Sequence, residues 1–194
     1  MTPVKITFSG AVLAGGKSTR MGRNKALLRL DGEPLWQRQL RTLKAAGAKP
    51  VFLVQAPSQR ALTHQRGVRV IRDTIRDAGP LAGLHAVLAQ CESTHLAILA
   101  VDLPHISPAW FTWLAENCSP ETGAVVRTPR GYEPLAAIYP QSAILAATAA
   151  LTAGEYSLQK FITTLVRTRR LKVLRIPATD RKQLANWNSP EDMA

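Results

Sequence analysis

One short stretch of the chain concentrates groups that handle phosphate. Gly15, Gly16 and Gly22 alternate there with Lys17, Arg20, Arg23 and Lys25. Glycines let the backbone turn with positive φ and approach a ligand closely, and successive N–H groups in such a turn form a nest for anions. The stretch directly follows an apolar run, residues 6–14, so it reads as a strand-to-helix turn built for a nucleoside triphosphate. It is not a P-loop: Gly16-Lys17-Ser18 supplies the tail of that motif, but the first glycine would fall on Ala11, inside the apolar run. The dinucleotide fingerprint Gly-x-Gly-x-x-Gly is also missing. Two acids complete the set. Asp73 follows the run 68–71 and Asp102 follows the run 95–101. A carboxylate at a strand end beside a phosphate loop suits Mg²⁺, which takes one or two carboxylates together with phosphate oxygens and water. Each aspartate also fits a helix cap or a turn. Glu133-Pro134 is a further acid ahead of a strand, placed to face the same cleft.

The elements that must carry these residues alternate. Residues 6–14 form a buried strand, and Pro34 opens a helix in which Leu35, Trp36, Leu40, Leu43 and Ala46 recur at helical spacing until Gly47. Short β-type runs follow at 51–54 and 68–71. A helix starts at Gly79-Pro80, the apolar strand 95–101 comes next, and a helix starts near Ser107. Strands are expected at 124–127 and 135–139, helices at 142–153 and 157–166, and a strand with a basic exposed face at 171–176. Strands alternating with helices predict a mostly parallel sheet covered on both faces. In such a sheet ligands bind outside the carboxyl ends of the strands.

Length and composition agree with one domain over residues 1–194: the chain is 46% hydrophobic and 20% charged, and its size allows burial of roughly 70% of the unfolded surface without disulfide or metal staples. There is no run of 18 apolar residues, so no transmembrane helix is expected. Residues 6–14 lack the cleavage site of a signal peptide, which favours the cytoplasm. Cys91 and Cys118 read as free thiols. The histidines His64, His85, His95 and His105 show no i, i+4 pair, so a zinc site is not expected. Net charge is the outlier: 25 Lys+Arg against 13 Asp+Glu gives +12, which points to an anionic partner.

Four segments in order carry a family likeness. Leu13-Ala14-Gly15-Gly16 through Arg20-Met21-Gly22 and Lys25 resembles the signature loop of nucleotidyltransferases that act on the molybdenum cofactor. Gly79-Pro80-Leu81-Ala82-Gly83, Val101-Asp102-Leu103-Pro104 and Asn186-Trp187-Asn188-Ser189-Pro190-Glu191 resemble their later segments, and the glycine pattern is closer to the guanylyl branch than to the cytidylyl one. The resemblance implies a three-layer αβα, Rossmann-like, mostly parallel sheet with one antiparallel strand. It implies GTP as donor, molybdopterin as acceptor and Mg²⁺ as cofactor. Leu13, Ala14, Gly15 and Gly16 would meet the nucleotide through backbone groups, with Gln55, Asp73 and Gly83 beside the nucleoside. Lys25 would meet the triphosphate and Asp102 would hold the metal. Arg20, Lys25 and Asp102 are the expected catalytic groups, Asn186 and Asn188 the expected acceptor contacts. Gln55 stands where the family often has Asn, and the stretch from Gly22 to Lys25 is one residue shorter than in some relatives. The likeness leaves room for protein partners among cofactor-biosynthesis or molybdoenzyme-chaperone proteins, and for no membrane.

Two other readings stay open on sequence. One is a nucleotidyltransferase of this fold that uses CTP or another phosphate acceptor. The other is a nucleic-acid-binding protein, drawing on the cations between Lys17 and Lys49 and the cluster Arg167, Arg169, Arg170 and Lys172. Against it, no aromatic residues interleave with these cations as stacking platforms, and charge on an edge strand also serves to block aggregation.

Overall fold

A computed structural model describes residues 6–15, 25–55, 62, 66–72, 75 and 78–187. The expected calls on Gly16, Arg20, Asp73 and Asn188, and on Lys17 and Arg23, lie outside these residues.

Seven strands form one sheet: β1 (Phe8–Leu13), β4 (Val51–Gln55), β5 (Val68–Arg72), β6 (His95–Ala100), β7 (Gly123–Thr128), β8 (Gly131–Pro140) and β9 (Leu171–Arg175). A separate hairpin pairs β2 (Arg29–Leu30) with β3 (Glu33–Pro34). The sheet order is β5-β4-β1-β6-β8-β7-β9. All neighbours on the β5 to β6 side run parallel, as do β7 and β9, and β8 alone runs against both of its neighbours. The expected single antiparallel strand is therefore β8.

Among the described residues are five α-helices: α1 (Leu35–Ala45), α2 (Gly79–Leu88), α3 (Pro108–Glu116), α4 (Ala143–Thr152) and α5 (Leu158–Arg167). Strand residues feed two cores by alternation. Val12, Leu53, Leu99, Val126 and Ile138 pack with Trp36, Leu40 and Leu43 of α1 and Trp110 and Phe111 of α3. Leu13, Val54, Ile98, Val125 and Tyr139 pack with Leu81 and Leu84 of α2, Ala147 of α4 and Phe161 of α5. Because β1, β4 and β6 are buried on both faces, their sequences are continuous apolar runs rather than alternating ones.

The structure shifts two boundaries. Pro34 is not the first helical residue but the cap before α1, with extended backbone. It closes the β2–β3 hairpin, which the sequence did not suggest because its strands are two residues each. Strand β8 begins at Gly131, not at Leu135, so Glu133-Pro134 lies inside it. Proline donates no ladder hydrogen bond, and here it sits beyond the paired stretch with β6, which ends at Leu99 and Ala136, next to the register shift between β7 and β8. A helical 3-10 segment, Ala178–Leu184, follows β9.

Candidate active site

The chain runs from β1 outward through β4 to β5, then returns to place β6 on the other side of β1. The carboxyl ends of β1 and β6 therefore form the switch point where open α/β sheets bind ligands. The three central strands end level. Leu13 is in register with Val54 on one side and Ala100 on the other. The Ala14 N–H donates to Val54 O at 2.9 Å and the Val101 N–H reaches Leu13 O at 3.4 Å. Ala14-Gly15, Gln55 and Asp102 thus leave the sheet side by side, with Gln55 and Asp102 two strand spacings apart, roughly 10 Å.

Asp102 follows β6 on a turn fixed by Pro104. Its side chain keeps 28% of its surface, and its Oδ2 lies 3.6 Å from Lys25 Nζ. Lys25 opens the 3-10 turn Lys25–Leu27, whose Ala26 is fully buried. That anchoring brings the lysine back to the sheet after the glycine-rich stretch. Lys25 and Asp102 were both expected in the site, and the fold joins them.

Gln55 is 1% exposed, yet neither its Oε1 nor its Nε2 has a hydrogen-bond partner among the described residues. A buried amide left unpaired costs about 1–3 kcal/mol, and this one sits at a strand end beside the switch point. Gly83 lies in α2 with its α-carbon against the same ends: a Cβ there would come 3.1 Å from Val54 Cγ1 and 3.4 Å from Leu13 Cδ2. Its absence lets α2 approach β1 and β4. Asn186 is exposed and precedes Trp187, whose N–H donates to Asp102 O at 2.9 Å. The described start of the C-terminal segment singled out in the sequence, residues 186–187, therefore meets the turn that carries Asp102.

Glu133 belongs to the same neighbourhood. Burial pushes its carboxyl up to about 7, against the pull of the Leu135 N–H, and the charge of Asp102 raises it further. Its Oε1 accepts a long 3.4 Å hydrogen bond from Leu135 N. Two residues escaped the sequence reading. Gln39, in the middle of α1, is fully buried and donates through Nε2 to Ala100 O at 3.2 Å and to Leu103 O at 2.7 Å. Arg38 Nε donates to Pro104 O at 3.1 Å. The signal for Gln39 was present: it stands four residues after Leu35, on the apolar stripe of the helix, where a polar side chain needs a partner.

The donor set near Asp102 consists of carboxylate oxygens with a lysine beside them, and no group of three or more His, Cys, Asp or Glu forms among the described residues. That chemistry fits a hard divalent ion held by one carboxylate or two and completed by phosphate oxygens, and it does not fit a closed protein cage.

The model of the MobA-like NTP transferase domain matches residues 10–170. The chain belongs to that family. Among its relatives is a protein of Opitutus terrae named "Probable molybdenum cofactor guanylyltransferase", 50% identical over 188 residues, which span 95% of this chain and 92% of the relative. The MobA-like fold recurs in the molybdopterin-guanine dinucleotide biosynthesis protein A of Archaeoglobus fulgidus, with a TM-score of 0.75 at 22% identity over 95% of this chain and 94% of that one. It recurs in Rv0371c of Mycobacterium tuberculosis, solved as a complex with manganese, with a TM-score of 0.62 at 22% identity over 88% of each chain. At these identities the two structures speak for the fold alone. Within the MobA-like family the parallel strands, the single reversed strand β8 and the level ends of β1, β4 and β6 are the frame of a nucleotidyltransferase.

Proposed function

We infer that the protein moves a guanylyl group from GTP to the terminal phosphate of molybdopterin and releases pyrophosphate. The observation that carries this reading is the 50% identity, across nearly the whole chain, to a relative named as a molybdenum cofactor guanylyltransferase. The site supports it. The acceptor phosphate is already an anion, so no Ser, Cys or His nucleophile is required. An oxygen of that phosphate forms a bond to the α-phosphorus of GTP, the bond from that phosphorus to the bridging oxygen breaks, and the electron pair leaves with pyrophosphate. Catalysis is then positioning and charge stabilisation. Ala14 and Gly15 offer backbone groups at the end of β1, with Leu13 leading into them and Gly16 beyond. Gln55, Asp73 and Gly83 are assigned to the nucleoside. Lys25 and Arg20 offset the charge on the departing pyrophosphate.

Asp102 is the residue that would hold Mg²⁺, with Glu133, whose carboxyl feels its charge, as a further carboxyl nearby. A divalent ion held there would supply positive charge to phosphate oxygens. Asn186 and Asn188 are assigned to the acceptor. The cytoplasm is the compartment this reading takes, with Cys91 and Cys118 as free thiols; no helix among the described residues is long and apolar enough to cross a membrane.

Calorimetric titration with GTP, CTP, ATP and UTP in the presence of Mg²⁺ tests the base. GTP is expected to bind tightest, and a clear preference for CTP would overturn the guanylyl assignment.

A further inference from the structure

The turn 101–107 is gripped from two sides. From α1, Gln39 holds Ala100 O and Leu103 O while Arg38 holds Pro104 O. From the C-terminal segment, Gln183 Oε1 accepts from both Ser107 N at 3.0 Å and Ser107 Oγ at 2.9 Å. The Nε2 of the same side chain donates to Asp180 Oδ1 at 3.0 Å, tying the 3-10 segment to itself. Further along, the Trp187 N–H donates to Asp102 O at 2.9 Å. The Trp187 ring, 6% exposed, meets His105 edge-on at 6.0 Å between centroids. The two grips have different consequences. Loss of the Gln183 contacts leaves Asp102 still fixed through α1, whereas residues 184–186 lose one of the two clasps that bracket them. Asn186 stands in that bracket.

We propose that Gln183 is a positioning residue for the acceptor: with Trp187 it clasps the C-terminal segment to the Asp102 turn and sets Asn186 at a fixed place relative to the reacting phosphate. This rests on the reading of Asn186 and Asn188 as acceptor contacts. The physical basis is that displacement of a binding group by about 1 Å is enough to cost up to 10² in rate. Gln183 touches neither substrate in this account. Its effect passes through contiguous hydrogen bonds to a group that does.

The test is steady-state kinetics of the full-length protein with GTP and molybdopterin, with thermal midpoints recorded for every variant. Gln183→Met keeps the length of the side chain and removes the accepting oxygen. It is expected to raise KM for molybdopterin about tenfold, the scale of two modest hydrogen bonds lost, while KM for GTP stays within about twofold. Gln183→Glu combined with Asp180→Asn keeps the accepting oxygen for Ser107 and reverses the contact with residue 180 instead of setting two carboxylates together, so it is expected to restore most of the acceptor affinity. Asn186→Ala reports on the underlying reading and is expected to raise KM for molybdopterin as well. If Asn186→Ala raises it and Gln183→Met does not, or if Gln183→Met raises KM for both substrates alike, the positioning role is overturned and the acceptor reading stands. If Asn186→Ala leaves the acceptor KM unchanged, the acceptor reading itself fails and takes the clasp with it.

Discussion

Lys25 and Asp102 lie 3.6 Å apart at the mouth of the sheet, and the two other titratable or amide groups nearest in role, Gln55 and Glu133, are both held in surroundings that cost energy. Gln55 keeps a buried amide with no partner among the described residues. Replacing it with leucine, of similar volume, removes that orphan. Gln55→Leu is therefore expected to leave the thermal midpoint unchanged or slightly raised, and to raise KM for GTP roughly 5- to 30-fold, the scale of a lost hydrogen-bond pair. A fall in thermal midpoint with unchanged KM for GTP would show that the amide is structural. Glu133 makes a pH prediction. Its carboxyl titrates at about 7 in the fold, against about 4.3 in an unfolded chain. Between those values the folded state holds a proton that the unfolded chain has released, so stability falls as pH rises through that window. Urea denaturation at pH 5 and pH 8 should show wild type losing more stability on going to pH 8 than Glu133→Gln does; parallel behaviour would contradict the assignment. At this scale much was legible in the sequence. Lys25 and Asp102 announce themselves by type and by their place after glycines and after an apolar run. Glu133 was read as an acid ahead of a strand facing the same cleft, but its place inside β8 and its closeness to Asp102 depend on β8 lying beside β6, and no local pattern encodes that pairing.

Among the elements, α1 and the turn after β6 act as one unit. Gln39 is the hinge pin: its Nε2 binds two carbonyls of the turn while its Oε1 has no hydrogen-bond partner among the described residues. Gln39→Leu satisfies the helix face but removes the donor shared by Ala100 O and Leu103 O. It is expected to cost about 1–3 kcal/mol in urea unfolding and to lower kcat through displacement of Asp102. An unchanged kcat would show that Arg38 and the C-terminal clasp suffice to hold the turn. The central strands were readable because burial on both faces makes them continuous apolar runs. The beginning of β8 was not, since Tyr132, Glu133 and Pro134 carry neither an apolar run nor an alternation; tertiary pairing with β7 overrides the local signal there. The β2–β3 hairpin was invisible for the same reason, its two-residue strands being too short to carry a period.

For the whole molecule, the strand order explains why five distant segments meet. β1, β4 and β6 end level at the switch point, β8 brings Glu133 from the reversed direction, and the C-terminal segment returns across the sheet to Asp102. The net charge of +12 divides accordingly. Lys25 stands at the mouth of the site, where a polyanion is captured more readily at low salt. The cations of β9 lie on an edge strand, where charge discourages strand-to-strand association. The family's reaction joins two phosphate compounds, and that chemistry has a direct readout. Pyrophosphate release should be measured with GTP, molybdopterin and Mg²⁺ together, and again with each omitted in turn. Release only when all three are present is the predicted result. Release from GTP without molybdopterin, or none in the complete mixture while CTP in place of GTP supports it, would contradict guanylyl transfer to the molybdopterin phosphate.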